Sequence, residues 1–178
     1  IGIGRAPGGT AEASNALSGN YREQVWKFPG LADELLEFIE GRADSGNQHA
    51  PLTAMPYPEI PPAVWMLGTG KKSALLAAEL GLPYAYGEFM GSSEGLEWVA
   101  EYRRSFFPRK EGDKPEVILA VSAFCADTEE EARRMIDESF VYSAGTEDNT
   151  IKNRTFFGSP DQVSAMLQGL KTQWNADE

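Results

Sequence analysis

The chain has 178 residues, enough for one domain with a buried core, and 42% of them are apolar, as in ordinary soluble globular proteins. Its net charge is −11, from 27 acidic against 16 basic residues, which argues against nucleic acid or an anionic membrane as a partner, because both select basic surface. No apolar run approaches the roughly 20 residues of a membrane helix, no signal peptide is visible, and a single cysteine, Cys125, permits no intrachain disulfide, so a cytoplasmic location is expected.

Ile1 to Gly4 reads as the end of a buried strand, entered without an initiator Met and therefore expected to be a cut start. Arg5 stands at its C-terminal edge, followed by a Pro/Gly loop. Thr10 is placed to cap a helix from Ala11 to about Leu17, which Gly19-Asn20 breaks. Tyr21 to Phe28 is expected to be helical. Leu31 to Glu40 is a separate amphipathic helix, with Leu31, Leu35, Phe38 and Ile39 on one face. From Arg42 to Pro62 the chain is rich in Pro, Gly and Asn and reads as a long connection, with a possible short strand at Leu52 to Met55.

Regular alternation follows. Val64 to Leu67 is a strand that stops at Gly68-Thr69-Gly70, and Ser73 opens an alanine-rich helix ending at Gly81. Glycines at such a turn let backbone N–H groups crowd towards a ligand, and a helix N-terminus adds unpaired donors and partial positive charge, so this turn is a candidate phosphate cradle. Tyr84 to Tyr86 is a short strand, Ser93 to Phe106 a helix, and Val117 to Cys125 one strong strand. Glu129-Glu130-Glu131 opens a helix with acids where its dipole favours them. Val141 to Thr155 is irregular, and Ser159-Pro160 starts a last helix running to about Trp174. Alternating β and α units imply parallel strands with crossover helices. Since a complete eightfold barrel needs about 250 residues, the chain is either an incomplete barrel or a smaller doubly wound sheet, in one domain over 1–178.

Several residues carry bland readings. Cys125 sits in an apolar run and is expected to be a buried small hydrophobe. His49 is the only histidine and has no metal-binding or nucleophilic partner spaced to suit it. Trp26, Trp65, Trp98 and Trp174 read as packing residues, and Lys71 and Lys72 as solvated.

The block Gly2-Ile3-Gly4-Arg5-Ala6-Pro7-Gly8-Gly9-Thr10 resembles the fourth-strand motif of the luciferase-like flavin monooxygenases. Val64 to Gly70, with Ser73-Ala74 and Ala77 to Pro83, is similar to that family's fifth strand and following helix. Tyr102-Arg103, Phe106-Phe107-Pro108, Cys125 to Ala132 and Gly158 to Val163 match its later segments in the same order. The resemblance implies a partial (β/α)8 barrel, lacking the N-terminal strands and the last one, and an oxidoreductase in which reduced FMN (or a deazaflavin) and O2 oxygenate a small organic substrate. It implies a separate flavin reductase as partner and self-association into a homo-oligomer, since an open barrel exposes strand edges and apolar surface. On the same resemblance, Arg5, Thr69, Gly70 and Ser73 bind the cofactor: Arg5 through its guanidinium, Gly70 through its N–H and Ser73 through its hydroxyl. Thr69-Gly70 corresponds to a pair that often carries a non-prolyl cis peptide. Where many relatives have Gly-Ser-Ser, this chain has Gly68-Thr69-Gly70, with one hydroxyl fewer. The alternatives are a flavin-binding relative without catalysis and a fragment without activity.

Overall fold

Parallel strands alternate with helices along the chain, as the apolar pattern predicts. The computed structural model describes residues 1–5, 10–41, 52, 55–56, 58–141 and 154–178. They group into two compact units, Ile1–Leu67 and Gly68–Glu178. His49, the loop at residues 6–9, most of the connection after Gly41 and most of the irregular stretch before Thr155 lie outside the described residues.

In the first unit, β1 (Gly2–Gly4) pairs in parallel with β2 (Trp65–Gly68), Ile3 opposite Met66. Helix α1 (Ala11–Ser18) is capped as expected: the Thr10 hydroxyl accepts from Ala13 N–H at 3.3 Å. The two helices expected between Tyr21 and Glu40 are one, α2 (Tyr21–Ile39), which runs through Pro29. Proline removes one backbone donor, yet the buried stripe of Ala32 and Leu36 and the Asn20 cap hold the helix on both sides of it. Trp26, expected to pack, is exposed on this helix. Neither Leu52 nor Met55 is in a strand.

The second unit opens with helix α3 (Lys71–Glu79), which begins two residues earlier than the sequence suggests. Its alanines, Ala74, Ala77 and Ala78, are almost fully buried and let helix α4 (Gly95–Ser105) approach closely. Gly81 ends the α3 segment at φ 61°, a left-handed conformation, and a Cβ there would stand 2.6 Å from the Phe107 carbonyl oxygen. Strand β3 (Tyr84–Gly87) pairs in parallel with β4 (Val117–Ala120), and Tyr84, Tyr86, Tyr102 and Val117 form the centre of the core.

The strand expected over Val117 to Cys125 is two strands. After β4 the chain leaves one ladder at Val121-Ser122, and β5 (Ala123–Cys125) pairs with β6 (Phe156–Gly158) instead. Cys125 ends β5 exposed, not buried: side chains alternate along the strand, and Cys125 shares the exposed side with Ala123 while Phe124 between them is half-buried. Helix α5 (Glu129–Val141) follows, and helix α6 (Pro160–Trp174) is capped reciprocally, Ser159 N–H donating to Gln162 Oε1 at 2.8 Å. The last residues return to β4: Asp177 N–H donates to the Val117 carbonyl, and Leu119 N–H to that of Glu178.

Candidate functional site

Three features build the turn between β2 and α3. Gly68 is required by packing: a Cβ there would lie 2.1 Å from Ser73 Oγ and 2.3 Å from Ser73 Cβ. Gly70 is the N-cap in extended backbone (φ −158°, ψ 176°), and a Cβ on it would meet nothing within 4 Å. Ser73 is the third residue of the helix rather than its cap. Its hydroxyl donates to the Gly70 carbonyl at 2.7 Å, lies 3.0 Å from the Tyr84 hydroxyl, and accepts from the Gly70 N–H at 3.4 Å. Ser73 is thus buried and committed to shaping the turn. The Thr69–Gly70 peptide is trans; among the described residues the cis bond is Met55–Pro56.

The chemistry of this turn suits an anion. The first N–H groups of a helix have no intrahelical acceptor and carry partial positive charge. The first turn of α3 holds no acid, while Lys71 and Lys72 are exposed there, in a chain of net charge −11. Lys71 is not simply solvated: its ammonium stands 5.3 Å from the Trp98 ring centroid. The floor under the turn is apolar and neutral. Burial pushes the Tyr84 phenol up to about 12, against the opposing hydrogen bond from Ser73.

Thr69 faces the end of the neighbouring strand, since a Cβ on Gly87 would lie 3.2 Å from Thr69 Cγ2. Just beyond, Glu88 opens a 3-10 turn (Glu88–Met90). Arg154 Nη1 donates to the Glu88 carbonyl at 3.0 Å and lies 3.5 Å from its Oε1. The Tyr86 hydroxyl is wedged where Gly91 and Gly95 lack Cβ atoms and has no partner of hydrogen-bond geometry among the described residues. Burial raises the Tyr86 pKa, Ser92 and Arg154 oppose the rise, and Glu88 adds to it. The sequence could have flagged Glu88, because it follows the carboxyl end of a parallel strand, where ligands of open α/β sheets bind. Nothing in the sequence singled out Arg154, which closes an irregular stretch.

Arg5 belongs to the first unit, at the C-terminal end of β1, half-buried, with its guanidinium 5.8 Å from the Phe28 ring centroid. Thr69, Gly70 and Ser73 are gathered at one turn of the second unit. Among the described residues no group of His, Cys, Asp and Glu could hold a metal ion, and no helix is long and apolar enough to cross a membrane.

The sequence profile of the luciferase-like monooxygenases matches residues 33–174. The chain belongs to the luciferase-like monooxygenase family. This luciferase-like chain is 39% identical to YwcH of Bacillus subtilis over 135 residues, covering 76% of its own length and 40% of YwcH. It is 30% identical to the N-acetyl-S-alkylcysteine monooxygenase of the same organism, over 96% of the chain and 50% of that protein. A luciferase-like monooxygenase of Escherichia coli K12 is 28% identical over the whole chain and 54% of its own length. The luciferase-like chain therefore spans about half the length of these relatives. Among solved structures, apo-MsnO8 superposes over the whole chain and 60% of its own, with TM-score 0.79 and 28% identity. The monooxygenase RslO1 of Streptomyces bottropensis, 20% identical with TM-score 0.69, shares the fold. The α/β architecture with parallel strands is common to the luciferase-like chain and these structures.

Proposed function

We propose that the chain is the flavin-phosphate-binding part of a (β/α)8-barrel monooxygenase that uses reduced FMN and O2 to oxygenate a small organic substrate. The observation that carries this reading is the open, acid-free N-terminus of α3 at Gly70, in a chain of the luciferase-like family. The residues fit the phosphate of FMN: N–H donors at the helix start, an unfilled space where Gly70 lacks a side chain, and two lysines beside it.

In this reading the first N–H groups of α3, those of Lys71 and Lys72, are the donors, Gly70 leaves room for the anion while its own N–H is turned to Ser73 Oγ, and Thr69 flanks the site. Ser73 acts through the turn, its hydroxyl fixing the Gly70 carbonyl so that the amides point outward. Arg5 supplies a guanidinium fork, which stays charged and matches phosphate geometry. When bound, reduced flavin supplies the electrons that split O2, one oxygen atom going to substrate and the other to water. The protein's task is to hold the cofactor and exclude water. A flavin reductase as electron source and a homo-oligomeric assembly belong to the same proposal. Because one relative is named for S-alkylcysteine substrates, thioethers are the first substrate class to assay.

The test is Gly70→Ala in the full-length protein, titrated with FMN, with a deazaflavin in parallel. Extended backbone accepts alanine and the new methyl meets nothing within 4 Å, so the melting temperature should hold. The methyl would occupy the cradle, and FMN affinity should fall about tenfold or more, a loss of roughly 1.4 kcal/mol. Unchanged affinity would show that the phosphate sits elsewhere.

A further inference from the structure

Glu88 holds a carboxylate oxygen that the protein does not satisfy. Only 14% of its side-chain surface is exposed. Oε1 faces Arg154, and the Glu88 carbonyl accepts from the same guanidinium. Oε2 has no hydrogen-bond partner among the described residues and is closed off from solvent. Leaving a buried acceptor unmet is destabilising, and such groups are few in native proteins, so each calls for a partner or a role.

The position of Glu88 says what that donor belongs to. Glu88 follows Gly87, whose missing Cβ would touch Thr69 Cγ2. The candidate phosphate turn and the Glu88 turn therefore lie side by side at the carboxyl ends of adjacent segments. A molecule anchored by its phosphate at Gly70 would have the Glu88 turn beside its anchor, through the Thr69–Gly87 contact. Its phosphate and ring carbonyls are acceptors and would be repelled by a carboxylate. FMN offers two kinds of donor, the ribityl hydroxyls and the imide N–H of the ring.

We propose that Glu88, held in place by Arg154, accepts a hydrogen bond from a donor group of the bound flavin. The proposal rests on the FMN reading above. Arg154 is a positioning residue: its Nη1 meets both the Glu88 carbonyl and Oε1 and so orients the carboxylate.

The experiment titrates FMN and N3-methyl-FMN into the full-length wild type, Glu88→Gln and Glu88→Leu, following flavin fluorescence, with ligand-free melting as a control. Wild type should bind FMN. Glu88→Leu should bind it about tenfold or more weakly, as for the loss of a hydrogen bond to a charged group. Glu88→Gln, which keeps the shape, should be weakened while melting no lower than wild type. If the imide is the donor, N3-methylation weakens wild type and leaves Glu88→Leu unaffected. If a ribityl hydroxyl is the donor, methylation acts on both alike, and the loss from Glu88→Leu persists with either ligand. Equal FMN affinity in wild type and both variants overturns the proposal while leaving the FMN reading intact. Absence of FMN binding by wild type overturns both. Unchanged FMN affinity in Glu88→Gln together with unfolding of Glu88→Leu would make Glu88 a packing anchor and also overturn the proposal.

Discussion

Gly68, Gly70 and Ser73 sit within six residues of one another, yet each glycine is there for a different reason. Gly68 yields its side-chain space to Ser73, while Gly70 leaves its own space open. Substitution separates the two roles. An alanine at 68 places a methyl inside Ser73, whose hydroxyl is tied to Gly70 and Tyr84 and cannot swing aside. Overpacking of this kind costs about 1–3 kcal/mol, so Gly68→Ala should lower the urea midpoint of the full-length protein. The same change at position 70 should leave it in place. A Gly68→Ala protein as stable as wild type would mean that α3 shifts freely against the turn, and the rigid cradle would be lost as an idea.

At the scale of elements, strong caps and long apolar stripes were legible, and short ladders were not. Thr10, Ser159-Pro160 and the alanines of α3 announced their helices because each signal acts within one or two turns. The two helices expected between Tyr21 and Glu40 are one, because the packing of Ala32 and Leu36 carries the helix past Pro29. β6 has three residues, too few to show a period, and the split of β4 from β5 depends on which partner each finds rather than on their own sequence. At the site, the turn at Gly68–Gly70 was readable from its glycines. The commitment of Ser73 to the turn was not, since it follows from α3 starting at Lys71.

The C-terminal strap is an element whose strength should depend on pH. Burial works to raise the Asp177 pKa, but the Val117 N–H and the Arg103 guanidinium, both at 2.8 Å, outweigh it and leave the carboxyl below its ordinary value. A carboxylate with a lowered pKa stabilises the fold fully above its unfolded value of 3.8 and loses that contribution as pH falls through the folded value. Asp177→Asn should therefore weaken the protein at neutral pH and flatten its acid-induced loss of stability. Wild type and variant showing parallel stability curves below that pH would rule out the strap as the acid-sensitive contact.

For the molecule as a whole, the alkaline limb is set by the tyrosine core of the second unit. Tyr84, Tyr86 and Tyr102 are each fully enclosed, and burial raises all three phenols, Tyr84 to about 12. In the unfolded chain they ionise around the ordinary value of 10.0. Above that value the unfolded state sheds protons that the folded state keeps, so stability is complete below it and declines as pH climbs towards the folded values. The excess of acidic groups adds to the decline, because each new phenolate joins a net charge already at −11. Denaturant midpoints should hold up to about pH 10 and drop between about pH 10 and pH 12, in step with late tyrosinate absorbance on unfolding. Tyr84→Phe should flatten that drop, since it removes one proton released on unfolding, while lowering stability near neutrality by leaving the Ser73 hydroxyl one partner short. If the midpoint holds constant through that range, the three phenols are not kept neutral by the core, and the apolar floor beneath the Gly70 turn is wetter than its burial implies.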